Sequence, residues 1–120
     1  MTLLAQILVG IVAALHFGFL LLEMFWWNTP RGRASFGTTR EFAAESATLA
    51  ANQGLYNGFL AAGLVWGLVA ADPLGFQVTV FFLLCVIIAG LYGAKTVNRR
   101  ILFIQAVPGA LALVTVLLSR

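Results

Sequence analysis

One hundred and twenty residues are enough for one domain, since domains typically contain about 100–150 residues. Hydrophobic residues make up 62% of the chain, whereas they make up roughly 45–50% of a soluble domain. Charged residues make up 9% of the chain, compared with about 25% of a soluble domain. Such a composition excludes a soluble globular enzyme, a disordered chain and a nucleic-acid-binding module, because each needs more charge. It predicts a single transmembrane domain over residues 1–120, and the net charge of +3 is expected to record membrane orientation.

Four apolar runs are long enough to cross a bilayer, which takes about 20 helical residues. They cover approximately residues 3–27, 46–71, 76–95 and 100–118. Each must be a helix, since an open strand leaves backbone groups unpaired in lipid. The Asn-Thr-Pro string at 28–30 is expected to end the first helix, and Asp-Pro-Leu-Gly at 72–75 predicts a tight turn. The predicted fold is all-α, an integral membrane four-helix antiparallel bundle.

The basic residues predict the orientation of these spans. Six of the seven lie in or beside the first and third loops: Arg31, Arg33, Arg40, Lys95, Arg99 and Arg100. On the other side there is only Arg120. The positive-inside rule therefore makes loops 28–46 and 95–100 cytoplasmic and puts both termini outside. The first loop also contains a helix start at Thr39-Arg40-Glu41, which predicts either a short interfacial helix or an ordinary solvated loop with equal weight.

Polar side chains inside apolar spans need a partner or a function. Those found here are His16, Glu23, Asn52, Gln53, Tyr56, Asn57, Tyr92 and Gln105. His16 and Glu23 share one helix face, because seven residues return to within about 20° of the same direction. Counting about 1.5 Å per residue from the cytoplasmic ends puts Glu23 opposite the Asn52–Gln53 pair, with His16 level with Asn57. These eight residues are predicted to line a ligand-binding pocket that opens to the cytoplasm and is closed on the outside by apolar side chains.

Each of these residues also has a plainer interpretation. His16 is alternatively a core histidine bonded to a neighbouring amide. Glu23 is alternatively an interfacial residue that reaches the headgroups or pairs with Arg31 or Arg33. The amides are alternatively interhelical hydrogen-bonding groups that hold the bundle together.

Small residues recur at every fourth position of the second span. They are Ala50, Gly54, Gly58 and Ala62. Such spacing makes a groove for another helix, and packing within the chain is favoured over a homodimer seam. In the fourth span, Pro108 with Gly109 predicts a kink just beyond Gln105.

The string Ala-Asn-Gln-Gly-Leu-Tyr-Asn at 51–57, continuing as Gly-Phe-Leu-Ala-Ala-Gly-Leu to 64, resembles the signature of a family of small bacterial membrane proteins catalogued as a domain of unknown function. The segment from His16 to Met24, with the tryptophans and proline that follow, resembles the first helix of that family. The resemblance implies a four-helix protein of the bacterial inner membrane. It marks six of the positions that depth counting selects: His16, Glu23, Asn52, Gln53, Tyr56 and Asn57.

Three functions are compatible with these residues. The first is a protein that binds or transports a small or lipophilic molecule, with membrane lipid as its surroundings. The second is an accessory or assembly subunit of a membrane complex, and the third is an intramembrane enzyme using His16 and Glu23 for proton transfer. One histidine and one cysteine cannot form a zinc site or ligate a haem pair, so no metal and no cofactor is expected.

Overall fold

The computed structural model describes residues 1–120, all of whose regular structure is helical. The elements in chain order are α1 (Leu3–Met24), α2 (Pro30–Phe36), α3 (Arg40–Val69), α4 (Leu74–Thr96), a π-helical segment (Leu102–Ala106) and α5 (Val107–Leu118). The all-α class is as predicted.

Helices α1 and α4 are long and apolar enough to cross a membrane, and 102–118 forms a shorter apolar helical stretch. Helix α3 lies outside that group because its middle contains the amide-rich stretch around Asn57. The predicted run 76–95 agrees with α4 to within two residues at each end.

The predicted boundaries of the first two runs were less accurate. Helix α1 ends at Met24 instead of residue 27, and α3 begins at Arg40 instead of residue 46. The Asn-Thr-Pro string does not end α1: Thr29 accepts a hydrogen bond from the Gly32 N–H and caps α2, with Pro30 in its first turn. Proline suits the first turn of a helix because its missing N–H would have no partner there. This capping role is the signal that the sequence interpretation missed.

The first loop therefore contains both a helix and a helix start. Helix α2 ends at Gly37, whose left-handed backbone (φ 67°) sends its N–H to the Arg33 carbonyl. The Thr39 hydroxyl then accepts from the Phe42 N–H, 3.1 Å away, and α3 begins. The start predicted at Thr39-Arg40-Glu41 is thus the first turn of a 30-residue helix, instead of a separate interfacial helix.

The chain forms two compact units, one comprising Met1–Ala14 with Leu60–Arg120 and the other Leu15–Phe59. The first unit contains the larger apolar core. Its buried members are Ala5, Val9, Val12, Ala13, Leu64, Leu83, Val86, Ala112 and Val116. In this unit α3 approaches α4 closely, because a Cβ at Gly67 or Gly63 would collide with Thr79 or with the ring of Phe82. The Asp-Pro turn joins these two helices, as the sequence predicts, and Asp72 Oδ1 accepts from the Phe76 N–H.

A π-helical segment, rather than a simple kink, precedes Pro108. The Val107 N–H bonds to the Leu102 carbonyl, five residues back, and Gln105 lies within the widened turn. Proline has no N–H to bond the carbonyl four residues earlier, so the ladder is interrupted where the segment occurs. Gly90 of α4 faces this segment, since a Cβ there would lie 2.7 Å from the Ala106 nitrogen.

Candidate functional site

Two glycines of α3 bring its backbone against α1 inside the second unit. A Cβ at Gly54 would lie 2.7 Å from Met24 Cγ and 3.0 Å from Glu23 Cβ, and one at Gly58 would lie 2.6 Å from Leu20 Cδ1. These two glycines therefore pack within the chain, which is the interpretation of the small-residue spacing that the sequence analysis favours over a homodimer seam.

The row of small residues does not continue along this contact. Ala50 is buried, but Ala62 is exposed. Each step of four residues advances about 40° around a helix, so the row turns through roughly 120° by its last member. Within the chain, the four residues therefore do not all pack against α1.

A buried hydrogen bond joins the two helices beside these glycines. Asn57 Nδ2 donates to Glu23 Oε1 over 2.5 Å. Only 8% of Glu23 and 6% of Asn57 are exposed. The carboxyl group of Glu23 is turned toward α3, while the Arg33 guanidinium donates to Asn28 Oδ1. The alternative in which Glu23 pairs with Arg31 or Arg33 is not the arrangement of this structure.

The partner of Glu23 differs from the one that depth counting predicts. Counting assumed that both helices start at one plane and put Asn52 and Gln53 opposite Glu23. In the structure Gly54 packs against Met24, the last residue of α1, so α3 extends beyond α1 by about 20 Å. Asn52 and Gln53, the two residues before Gly54, are exposed and do not bond Glu23.

His16 is fully buried on α1, two turns before Glu23. Its ring meets Phe19 edge-on, with centroids 5.2 Å apart and planes at 70°. Val9, Val12 and Ala13, buried on the preceding turns, place both polar residues on one continuous buried face of the helix.

The other predicted residues differ in their exposure. Tyr56 is 54% exposed and contacts Phe59. Tyr92 is exposed, and Gln105 is partly buried. Within the second unit, the structure pairs Glu23 with Asn57, and His16 lies on the same face of α1 as Glu23. We refer to these three residues as the polar centre.

Ser46 contributes a polar contact that the sequence interpretation did not include. Its hydroxyl accepts from Trp27 Nε1 at 3.0 Å and donates to the Phe42 carbonyl. Ala43, Ala50 and Asn57 are buried and recur every seven residues, so they mark one packed face of α3. This spacing was the sequence signal that could have pointed to a contact by Ser46, which lies one turn after Ala43.

A cleft of about 290 Å³ lies in the first unit. It is lined by Met1, Asp72, Pro73, Phe76, Gln77, Ser119 and Arg120. The Arg120 guanidinium lies 5.1 Å from the centre of the Phe76 ring. None of the eight predicted site residues lines this cleft. The cleft is formed where both termini meet the Asp-Pro turn. The sequence predicts that this end of the protein is closed by apolar side chains.

Comparison with known protein families shows which family this chain belongs to. The profile of the family described as "Protein of unknown function (DUF1304)" matches residues 10–117. The chain belongs to this family. The chain is also similar to the uncharacterized protein YpaA of Lactococcus lactis subsp. lactis (strain IL1403), with 31% identity over 117 residues. The similarity covers 96% of this chain and 98% of YpaA. No solved structure matches.

The DUF1304 match covers the whole polar centre. His16, Glu23 and Asn57 all lie between residues 10 and 117. No group of three or more His, Cys, Asp or Glu side chains in this DUF1304 protein could hold a metal ion. At the centre, one carboxyl, one amide and one imidazole can form hydrogen bonds, and the carboxyl and the imidazole can also exchange protons.

Proposed function

We propose that this DUF1304 protein is a small multi-pass protein of the bacterial inner membrane that binds or transports a small or lipophilic molecule at the polar centre of α1 and α3. The observation that carries the proposal is the hydrogen bond between Glu23 and Asn57, buried between two helices. Ligand sites are mostly apolar with a few placed polar groups, and a carboxyl in such surroundings is a functional candidate.

The membrane assignment is supported by where the apolar surface lies. Only 28% of the apolar window of α1 and 33% of that of α4 are buried within the chain. The core helix of a soluble protein is mostly buried, whereas a lipid-facing helix leaves its apolar side chains outside the protein. Large exposed hydrophobic side chains occur along every long helix, for example Ile11, Val65 and Ile88. Exposed apolar surface of this extent needs a lipid or protein covering.

The proposed architecture is a four-helix antiparallel bundle with its first and third loops in the cytoplasm. One cleft of the first unit is lined by Met1, Asp72 and Arg120. Both termini and the turn between α3 and α4 therefore lie at the same end of this unit, which is consistent with an up-and-down order of its helices. The basic residues of the first and third loops support the orientation.

A substitution that keeps the shape of the carboxyl group tests the proposed site. The wild-type protein, purified from its own membranes in a mild detergent, is expected to retain a small molecule detectable by mass spectrometry of the extract. Glu23→Gln should lose that molecule while keeping its thermal stability, because only the charge and one acceptor change. Glu45→Gln, at an exposed position of α3, is the matched control and should retain it.

A second candidate function is supported by the same hydrogen bond. An amide and a carboxyl that join two helices can serve packing alone, as in an accessory or assembly subunit. In that case Glu23→Gln has no effect on co-purifying molecules, and the wild-type protein co-purifies with a protein partner instead. The two candidates are thus separated by one pair of variants.

A further inference from the structure

The two oxygen atoms of the Glu23 carboxyl group are in different situations. Oε1 accepts the hydrogen bond from Asn57 Nδ2, and Oε2 has no hydrogen-bond donor in the structure. Oε2 is also not fully enclosed, because the fully enclosed side-chain atoms without a partner are the hydroxyl oxygens of Thr38 and Thr79. Although only 8% of Glu23 is exposed, this oxygen atom therefore remains accessible from outside the protein.

No basic side chain neutralises this carboxyl group. The Arg33 guanidinium donates to Asn28, while Arg31 on α2 and Arg40 at the start of α3 are exposed. The one polar contact that Glu23 makes within the chain is with an uncharged amide. The carboxyl group is therefore buried without a counter-ion.

The helices that meet at Glu23 contribute one other titratable group to this face, an imidazole. On α3, Gly54 and Gly58 pack against the same stretch of α1, and the Tyr56 side chain is exposed. On α1, His16 is the other titratable side chain of the buried face, and it lies two turns earlier, about 10 Å along the helix axis. At that distance the imidazole does not bond the carboxyl group directly.

A carboxyl group in these surroundings has two stable forms. It is neutral when it binds a proton, and it is ionised when a cation lies beside it, because an isolated charge in an apolar site costs free energy. The chain provides no such cation at Glu23, so the cation has to come from a ligand. A proton and a cationic ligand then compete for the same carboxyl group.

The position of Glu23 indicates the shape of such a ligand. Glu23 is the last residue but one of α1, where the apolar helix ends, and its neighbours Leu20 and Met24 are apolar. A molecule with a cationic group on Oε2 can therefore place an apolar portion along the apolar side chains of α1. Ligand sites commonly combine an apolar surface with a few polar groups, and an ammonium group is a strong hydrogen-bond donor to a carboxylate.

We propose that the polar centre binds lipophilic amines in their protonated form, in exchange for a proton carried by Glu23. In this exchange the protonated carboxyl group releases its proton to water, and the ammonium group of the amine donates to Oε2 of the resulting carboxylate. The charge balances, because one cation enters for each proton that leaves. Asn57 holds the carboxyl group in place through Oε1. This inference rests on the proposed function and specifies the chemical class of its ligand.

Binding of a matched amine and alcohol to the purified full-length protein in a non-ionic detergent tests the proposal. Phenethylamine and phenethyl alcohol share their apolar portion, and the amine stays protonated between about pH 5.5 and 8.5. Ligand-observed NMR titrations give the two affinities. At about pH 8 the amine should bind about tenfold more tightly, as expected for one hydrogen bond to a charged group. Acidification should weaken amine binding by up to about tenfold per pH unit, because one proton competes with each amine, and should leave alcohol binding unchanged.

Variants of the polar centre assign the preference to one group. Glu23→Gln should bind the amine no more tightly than the alcohol and should lose the pH dependence. Glu23→Asp, which keeps the charge, should retain part of both. Glu45→Gln, at an exposed position of α3, is the matched control and should behave as the wild type. His16→Gln should keep the pH dependence, because the exchanged proton belongs to the carboxyl group.

The outcomes separate this inference from the proposed function. Equal affinity of the wild type for amine and alcohol, or an amine preference that persists in Glu23→Gln, overturns the inference and leaves the proposed function standing. A pH dependence that disappears in His16→Gln overturns the exchange at Glu23. A wild-type protein that binds neither compound overturns the inference, and if it also retains no molecule on purification it contradicts the proposed function. If Glu23→Gln does not fold, the amine preference and pH dependence of the wild type and of Glu23→Asp decide the question.

Discussion

At the scale of single residues, the apolar helices contain few polar side chains, and two of these are buried against each other. Asn57 and Glu23 are both nearly inaccessible and share a hydrogen bond. Their burial is compensated only while the bond is made, because an unpartnered polar group in apolar surroundings costs free energy. Sequence pattern selects both residues, but it pairs Glu23 with the wrong amides.

Replacing the amide partner should therefore destabilise the protein. Asn57→Ala leaves the Glu23 carboxyl buried without its donor, and the free energy of unfolding should fall by about 1–2 kcal/mol. Asn52→Ala, at an exposed position one turn and a residue earlier, should change it by less than about 0.5 kcal/mol. Unfolding of the detergent-solubilised variants followed by circular dichroism measures both. Equal effects of the two substitutions would show that the buried bond contributes nothing.

The two glycines at the α1–α3 contact should tolerate a methyl group to different degrees. Gly54→Ala places its Cβ against Glu23 Cβ and the Leu20 carbonyl as well as Met24, so the helices must separate. We expect a loss of about 1–3 kcal/mol. Gly58→Ala meets only the flexible Leu20 side chain and should cost less.

Gly18 on α1 provides the control for this series. A Cβ at Gly18 meets nothing within 4 Å, so Gly18→Ala should be neutral or gain up to about 1 kcal/mol from helix propensity. Thermal unfolding of the three variants gives the order of stability. A Gly54→Ala variant as stable as Gly18→Ala would contradict close packing of α3 on α1.

At the scale of elements, capping and backbone chemistry decide where the helices begin and how they bend. Thr29 with Pro30 starts α2, Thr39 starts α3, and the region before Pro108 widens into a π-helical segment. The sequence indicates breaks near Pro30 and Pro108, because proline cannot continue an ordinary helix interior. Whether a break becomes an end, a start or a widened turn depends on the hydrogen bonds that neighbouring groups can supply.

The π-helical segment should tolerate the deletion of one residue. A π-bulge contains one extra residue relative to an α-helix, so deleting Ile104 restores α-helical spacing and keeps both flanks in register. Ile104 is exposed, and its loss removes little packing. Deletion of Ile88, an exposed residue inside α4, rotates the rest of that helix by about 100° and should abolish folding. Size-exclusion profiles and thermal unfolding of the two deletions measure the difference, and similar behaviour would argue against an accommodated extra residue.

At the scale of the whole molecule, the distribution of charge and apolar surface is the one that the membrane proposal expects. Only 28% of the apolar window of α1 and 33% of that of α4 are buried, and basic residues concentrate at two of the connections. Two compact units divide the chain, one containing the apolar core and the other the polar centre.

Reporter fusions should give the orientation that the charges indicate. Alkaline phosphatase fused after Arg120 should be active, because it folds only outside the cytoplasm, and a green fluorescent protein at the same position should be dark. The same reporters inserted after Gly37, at the end of α2, should behave in the opposite way. A fluorescent C-terminal fusion would reverse the proposed topology.

The amino-acid sequence by itself determined the helical class and singled out Glu23 and Asn57 as polar residues within apolar runs, because both results depend on composition, hydrophobic run length and the cost of burying polar groups. It also located the tight turn at Asp72-Pro73, which is a local property of the chain. Only the tertiary structure decided that Glu23 bonds Asn57, that Gly54 and Gly58 face α1, and that Asn52 and Gln53 are exposed. The physical reason is register: the relative height of two helices is set by where caps start them and by which small residues let them approach, and one residue of error turns a helix by about 100°.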